Sequence, residues 1–467
     1  MQKMGLFFGL LVLGYISSNF SSVFLSAHAQ VAQVIDNQVR DHPAVLILTG
    51  DWTVQVEYKV ENGGKTTEVV IPGAEIVAVK GEKYDSLPMF NFDGPTWNRG
   101  LNFRQVLSSE SPVFSVANAT DGESVVVRSG TGPDAIVYEK EKDYTFEPLW
   151  ISIGRLPDGR ITENQPVFID YVYGKMRLDS VVLTKDQKII LRKGIPDVIH
   201  PIPPDVADGE KRLANIWVHG RIEKLSPELL FPILETDFPE SEKPDADVMS
   251  TRFPKTMQKL RNGEKLRVLA WGDSVTDAGY LPQPERDRWQ EQFVKRLRER
   301  FPKATVELVT EAWGGRNSDT YRNEPPGSPK NYREKVLNLQ PDLVVSEFVN
   351  DAGMQGDYLS DRYSGILKDF REIGAEWIIL TPHYVRPDWM GLDREKNIDD
   401  DPRQYTWDVR KFAESNGVAI ADGAKRYGRL WRQGIPYSTL MMNNINHPNP
   451  VGMKIFADAL MDIFPEK

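Results

Sequence analysis

The serine best placed to do chemistry stands within residues 266–279, which read LRVLAWGDSVTDAG. The apolar residues that begin this stretch predict a buried parallel strand, and Gly272-Asp273-Ser274 follows where that strand must end. Apolar residues then recur every fourth position from Trp289 to Leu297, which predicts an amphipathic helix. Ser274 would therefore lie in a strand-to-helix turn, in the crevice where open α/β sheets bind ligands. This position suits a nucleophile.

Four sequence blocks carry a resemblance to a known family. Gly272-Asp273-Ser274-Val275-Thr276 resembles the first signature block of the GDSL, or SGNH, hydrolases. Alone it has little weight, because three common residues in a turn often arise by chance. Three further blocks follow in order, at residues 311–318, 348–353 and 443–452. The resemblance covers the carboxyl-terminal half of the chain and none of the amino-terminal half.

The resemblance implies a role for one residue in each block. Ser274 Oγ would attack an ester carbonyl, and the oxyanion would be stabilised by the N–H groups of Ser274 and Gly315 and by the side-chain amide of Asn350. Gly315 is preferred to Gly314 because Ser318 lies three positions after it, as in the family's Gly-x-x-Ser pattern. The two glycines could also serve only to form a tight turn.

The general base and the third triad member come from the last block. His447 matches the family's His-Pro-Asn, and His383 is the other histidine of this half. The family usually has Asp three residues before the histidine, where this chain has Asn444. Asparagine orients the histidine in Cys-His-Asn enzymes. Alternatively, a backbone carbonyl holds the ring and the enzyme works as a Ser-His dyad. We predict Ser274, His447 and Asn444 as the catalytic set.

Substrate contacts are predicted from the loops that follow the strands. His383 could line the substrate site, or it could be an ordinary exposed histidine, and both interpretations stay open. The chemistry implied by the resemblance requires neither a metal nor an organic cofactor. The predicted substrate-binding residues are Asp273, Trp313, His383, Tyr384 and Arg386.

Alternating elements in the carboxyl-terminal half predict the framework for these residues. Five apolar strands alternate with helices, which indicates an α/β fold with a five-stranded parallel sheet flanked by helices, of SGNH-hydrolase type. The first predicted strand begins at 266, and the other four are predicted at 305–310, 343–348, 377–381 and 418–421. The predicted helices lie near 289–297, 331–339, 361–373, 404–416 and 450–464.

The amino-terminal half is predicted to be β-rich and sandwich-like. Apolar residues alternate over 54–60 before a turn at 62–64 and a return strand at 68–71. Further short strands are predicted at 125–128, 150–153, 167–173, 178–184 and 188–192. Aromatic residues in this half could stack on sugar rings or could fill the core, and these are Phe90, Phe92, Trp97, Tyr171 and Tyr173.

The chain of 467 residues is long enough for two or three domains. Residues 1–29 read as a signal peptide cleaved after Ala29, or alternatively as an uncleaved anchor over 4–23. We divide the rest into a β-rich accessory region, 30–247, and an SGNH-hydrolase-like domain, 248–467. An exported chain without cysteine is typical of a bacterial periplasmic or secreted protein. No integral membrane segment is predicted after signal removal.

The net charge and the predicted export limit the functions expected for this chain. The formal net charge of −10 and the absence of a basic run argue against a nucleic-acid partner. We predict an exported serine esterase that deacetylates a polysaccharide or another acylated carbohydrate, so its partner would be a carbohydrate ester. The alternative is a glycan-binding or surface protein whose SGNH fold has lost catalysis at Asn444.

Overall fold

The computed structural model describes residues 42–60, 63–108 and 115–466, and the predicted signal peptide lies outside these ranges. Within them, residues from Ala44 onward pack as one compact unit. No described helix is long and apolar enough to cross a membrane.

Antiparallel strands dominate the amino-terminal half. The described strands are β1 (Val45–Gly50), β2 (Thr53–Val60), β3 (Gly63–Val70), β4 (Glu75–Tyr84), β5 (Thr120–Arg128), β6 (Tyr144–Phe146), β7 (Ile153–Arg155), β8 (Val167–Lys175), β9 (Arg177–Leu183), β10 (Ile189–Arg192), β11 (Lys211–Val218) and β12 (Leu230–Pro232). They form sheets in the orders β1-β2-β3, β4-β8-β5, β6-β7 and β10-β9-β11-β12. The predicted pairing of β2 with β3 is confirmed, and the strand predicted at 150–153 begins only at Ile153.

Two hydrophobic cores hold these sheets together. The alternating residues Val54 and Val56 of β2 pack in one core with Val181 of β9 and Ile216 of β11, so the β1–β3 sheet and the β9–β12 sheet face each other as in a sandwich. A second core forms around β4, β5 and β8. The predicted β-rich region is thus confirmed.

The carboxyl-terminal half contains the predicted parallel sheet. Its strands are β13 (Lys265–Gly272), β14 (Thr305–Ala312), β15 (Leu343–Glu347), β16 (Glu376–Leu380) and β17 (Ala419–Ala421). They are parallel and lie in the order β14-β13-β15-β16-β17. Val268 and Ala270 face one core, whereas Leu269 and Trp271 face another. The sheet is therefore covered on both faces, which explains the continuous apolar run at positions 268–271 of β13.

Helices cover both faces of this sheet. They are α1 (Ala246–Ser250), α2 (Pro254–Asn262), α3 (Ser274–Asp277), α4 (Pro284–Asp287), α5 (Trp289–Arg300), α6 (Ser318–Asn323), α7 (Tyr332–Lys335), α8 (Gly356–Ile373), α9 (Gln404–Asn416), α10 (Gly423–Gly428) and α11 (Pro450–Met461). The helix predicted at 331–339 is divided into α7 and a 3-10 turn, Leu337–Leu339. The predicted α/β fold is confirmed.

The two halves share buried contacts. Asn215 Nδ2 of β11 donates to the carbonyl oxygen of Gly434 at 2.8 Å, and Trp431 lies in the core built around β4, β5 and β8. Arg429 also forms an ion pair with Glu235, with 2.6 Å between Nη2 and Oε2. These contacts cross the boundary expected near residue 247, whose position stays a prediction.

Candidate active site

Ser274 is the first residue of α3, directly behind β13, and its side chain is partly exposed. The turn that places it requires glycine at position 272. A Cβ there would come within 2.1 Å of Thr276 Oγ1 and 2.3 Å of the Glu347 carbonyl oxygen. Because a Cβ could not lie so close to either atom, the absence of a side chain at Gly272 allows β13 to approach β15 closely and still turn sharply into α3.

His447 lies against this serine. Its Nε2 is 2.9 Å from Ser274 Oγ, a hydrogen-bond distance. The loop before α11 fixes the main chain of His447 through the buried side chain of Asn443. Asn443 Oδ1 accepts from the N–H groups of Ile445, Asn446 and His447 at 2.9, 2.9 and 3.1 Å. The structure therefore brings the predicted nucleophile and base together.

A tyrosine lies flat against the imidazole of His447. The rings of Tyr280 and His447 have centroids 4.3 Å apart and planes that differ by 3°. Such stacking restricts rotation of the imidazole out of its plane. Neither Tyr280 nor Asn443 was predicted from the sequence. For Asn443 the signal is the tendency of asparagine side chains to hydrogen-bond the backbone ahead of them, whereas Tyr280 has no local signal.

Asn350 is connected to the site by hydrogen bonds to Asp273, the residue before Ser274. Asp273 Oδ2 accepts from both the backbone N–H and the side-chain Nδ2 of Asn350, each at 2.9 Å, and Oδ1 accepts from Val275 N–H at 3.0 Å. Asp273 is fully buried. The predicted substrate contact by Asp273 conflicts with this burial, and its hydrogen bonds give it a positioning role instead. Burial raises the pKa of Asp273 to about 6.

The loop that contains Gly314 and Gly315, called the glycine loop below, also lies beside Ser274. A Cβ added at Gly314 would be 3.7 Å from Ser274 Cβ, and Gly315 has a φ of +70°, the left-handed region that favours glycine. Ser318, at the end of this loop, donates to Asp351 from both its N–H and its Oγ at 2.8 Å. Asp351 directly follows Asn350, so one buried carboxyl ties the glycine loop to the loop that carries the amide. Burial raises the pKa of Asp351 to about 7.

Two predicted substrate contacts lie in the core. His383 and Tyr384 are fully buried, and His383 Nε2 donates to the carbonyl oxygen of Asn446 at 2.6 Å. Both interpretations of His383, as a substrate contact and as an exposed residue, conflict with this burial. Its bond instead supports the loop that precedes His447. Burial also lowers the pKa of His383 well below its usual range.

The remaining predicted site residues lie nearer the surface. Trp313 is partly exposed beside Gly314. The Arg386 side chain is largely buried, with its guanidinium 4.8 Å from the centre of the Trp150 ring, so packing occupies most of it. Asn444 is partly exposed with a φ of 55°, a conformation that asparagine tolerates better than most residues. Its role toward His447 stays a prediction.

Among the described residues, no group of three or more His, Asp or Glu side chains is arranged to hold a metal ion. The groups that could act on a substrate are a serine hydroxyl, an imidazole and backbone and amide N–H donors. This set fits nucleophilic attack on an acyl carbon.

Comparison with known proteins identifies the family of one part of the chain. Residues 270–455 match the model of the GDSL-like lipase/acylhydrolase family. No curated protein matches the chain. Among solved structures, a two-domain esterase active on acetylated mannans is 18% identical with a TM-score of 0.38, over 47% of this chain and 54% of that one. The chain thus spans about half the length of that esterase.

Two further solved structures are GDSL-like lipases. One, from Parabacteroides merdae, is 17% identical over 43% of this chain and 96% of that one, with a TM-score of 0.35. Another, from Bacteroides thetaiotaomicron, is 16% identical over 46% of this chain and 95% of that one, with a TM-score of 0.29. By the family match over residues 270–455, the carboxyl-terminal half of this chain is recognised as a GDSL, or SGNH, hydrolase domain.

Proposed function

We propose that this chain is an exported serine esterase that removes acetyl groups from a polysaccharide or another acylated carbohydrate. The observation that carries the proposal is the 2.9 Å distance between His447 Nε2 and Ser274 Oγ in a partly exposed site. A serine hydroxyl is a weak nucleophile unless a base removes its proton, and this distance allows direct transfer.

The reaction would proceed through an acyl-enzyme. Ser274 Oγ forms a bond to the ester carbonyl carbon while its proton moves to His447 Nε2. His447 then gives that proton to the departing alcohol oxygen as the ester bond breaks. A water molecule attacks the acyl-serine in the second half, losing a proton to His447, which returns it to Ser274 Oγ. The products are acetate and the free sugar hydroxyl.

Three donors would stabilise the oxyanion in both halves. The N–H of Ser274 lies at the beginning of α3, Gly315 belongs to the loop beside the serine, and the Asn350 amide has one hydrogen beyond that given to Asp273. Because Asp273 and Asp351 hold these loops before substrate arrives, little reorganisation is needed during attack. A glycan is favoured over a polyanion as substrate because the chain's net charge is −10.

The experiment is hydrolysis of 4-nitrophenyl acetate and labelling by a fluorophosphonate, compared between the natural chain and Ser274→Ala. We expect Ser274→Ala to abolish both with unchanged circular dichroism. Ser360→Ala, an exposed serine on α8, is the matched control and should keep full activity. If Ser274→Ala kept more than a trace of the natural activity, the assignment of Ser274 as the nucleophile would be overturned.

The rival function is glycan binding without catalysis, favoured by asparagine at position 444. A chain of that kind would bind saccharides but would neither be labelled nor release acetate. Release of acetate from acetylated xylan or acetylated glucomannan by the natural chain, and not by Ser274→Ala, separates the two functions. The same screen identifies the polysaccharide.

A further inference from the structure

We propose that Trp97 and Trp389 form a sugar-stacking subsite beside the candidate active site, built jointly by the two halves of the chain. Their rings have centroids 5.7 Å apart and planes inclined at 57°. Trp97 belongs to the 3-10 turn Thr96–Asn98 of the amino-terminal half, and Trp389 to the 3-10 turn Pro387–Met390 that follows β16. The inference deepens the proposed function and rests on it for the identity of the substrate.

Exposure distinguishes this pair from three of the aromatic residues considered for sugar stacking in the β-rich half, whereas a fourth, Phe92, is 61% exposed. Phe90, Tyr171 and Tyr173 are buried, so the interpretation that they fill the core is correct for them. Trp97 is only partly buried, and Trp389 is 48% exposed. Exposed apolar side chains that lie together, unlike exposed residues scattered singly, often mark binding sites.

Backbone hydrogen bonds connect the pair to the loop of the candidate base. Trp389 N–H donates to the carbonyl oxygen of Arg386 at 3.1 Å, and Arg386 N–H donates to that of Ile445 at 2.8 Å. Ile445 precedes His447 by two residues, and successive Cα atoms are about 3.8 Å apart. From the other half, Trp97 packs against the core cluster that contains Ile445 and Trp150. A sugar bound on this pair would thus be close, along the glycan, to the sugar unit whose acetyl ester reacts at Ser274.

Both turns are held before any ligand binds. The Arg386 guanidinium lies over the Trp150 ring and its Nε donates to Asp388, beside Trp389. On the other side, Arg99 closes the loop that carries Trp97, with Nε donating to the Gly94 carbonyl oxygen at 3.0 Å and its N–H donating to Ser152 Oγ at 2.9 Å. A rigid aromatic surface loses little conformational entropy on binding, which favours weak polar ligands such as sugars.

The chemistry of the surface favours a saccharide. The C–H faces of a pyranose ring pack on aromatic rings, while its hydroxyls remain in water. Because the two indoles already contact each other, a pyranose ring would pack on the exposed face of the pair, most of which belongs to Trp389, and not between the rings. Two indoles make a small surface, below the area that a stable protein partner would need. We therefore propose a neutral glycan as the ligand of this pair. Binding to a lipid surface is the alternative that the test would reveal.

The test compares Trp97→Ala and Trp389→Ala on two kinds of substrate. One is an acetylated oligosaccharide derived from xylan or glucomannan, and the other is 4-nitrophenyl acetate. We expect each variant to lose kcat/KM on the oligosaccharides by about tenfold more than on the small ester, mainly through KM. Trp389→Phe should recover part of the loss. Trp407→Ala is the matched control, because Trp407 is also 48% exposed but lies on α9.

Equal losses on the two substrates, or a Trp407→Ala variant with the same selective loss, would overturn the subsite. Binding to the Ser274→Ala chain provides a separate measurement. Titration with xylohexaose, mannohexaose and cellohexaose should give binding by at least one that Trp389→Ala weakens. If no ester is hydrolysed but this binding persists, the proposed function fails and the subsite stands. If 4-nitrophenyl acetate is hydrolysed and no hexaose binds, or only phosphatidylcholine vesicles bind, the subsite fails.

Discussion

Asp273 Oδ2 accepts two hydrogen bonds from Asn350, one from the backbone N–H and one from the side-chain Nδ2, both at 2.9 Å. The residue immediately before the candidate nucleophile thus sets the orientation of the candidate oxyanion donor. Because Asp273 is fully buried, water does not compete for these bonds. These bonds connect the turn that carries the candidate nucleophile to the loop that carries the candidate donor.

Asn350→Ala should lower turnover by about 10²–10³, because an oxyanion donor acts mainly in the transition state. The Michaelis constant should change little. Steady-state kinetics on 4-nitrophenyl acetate measure both, with Asn262→Ala as a control, since Asn262 is an exposed asparagine on α2. A variant that changes only the Michaelis constant would place Asn350 in ground-state binding.

Tyr280→Ala should lower turnover by about ten- to a hundredfold, because the imidazole of His447 would lose the ring that restricts its orientation. Tyr280→Phe keeps an aromatic ring and should retain most of the activity. If Phe is as damaging as Ala, the hydroxyl rather than the stacked ring matters.

Asn444 decides between a triad and a dyad. If its side-chain oxygen orients His447, Asn444→Ala should lose a large factor in turnover, and Asn444→Asp should gain activity. If a backbone carbonyl orients the ring, Asn444→Ala should be mild. We expect the dyad, because an amide stabilises an imidazolium less well than a carboxylate does. An Ala variant as inactive as His447→Ala, with no gain from Asp, would show that asparagine is a working third member.

Asp351 should make stability depend on pH. Its pKa in the folded chain is about 7, raised by burial, whereas an unfolded aspartate has a pKa of about 3.9. The folded state therefore keeps a proton that the unfolded state has lost. This stabilisation is complete below about pH 4 and is lost as pH rises through about 7.

The midpoint of urea unfolding, followed by tryptophan fluorescence, should therefore fall between about pH 5 and about pH 8. Asp351→Asn cannot ionise and should reduce that fall, while the exposed Asp361→Asn on α8 should not. The buried Asp273, with a pKa of about 6, should leave part of the slope in place. A slope unchanged by Asp351→Asn would mean that this carboxyl is already ionised in the folded state throughout the range.

Local patterns were sufficient to predict the parallel sheet. Residues 268–271 of β13 are buried on both faces of the sheet, so this apolar run is continuous, whereas β2 alternates because its buried residues occupy one face. The turn at Gly272 and the motif around His447 also depend on adjacent residues. For this reason, the sequence placed Ser274 at the end of β13 and His447 just before the closing helix, and the fold brings the two within hydrogen-bond distance.

Contacts between distant segments explain what the sequence could not predict. His383 and Tyr384 follow β16 as a surface loop would, but the segment that includes Asn446 packs over them. Asp273 looked available to substrate because its partner, Asn350, is 77 positions away. Tyr280 stacks on a residue from the other end of the domain, and no spacing within either segment indicates that contact.

The packing of Trp150 against Ile445 limits how this chain can change through evolution. Ile445 lies two residues from His447, so an insertion or loss in the β-rich half that moved Trp150 would also move the base relative to Ser274. The two halves must therefore be inherited together and accumulate compensating changes. A gene fusion that gave this hydrolase domain a different partner would have to rebuild the support of its own histidine.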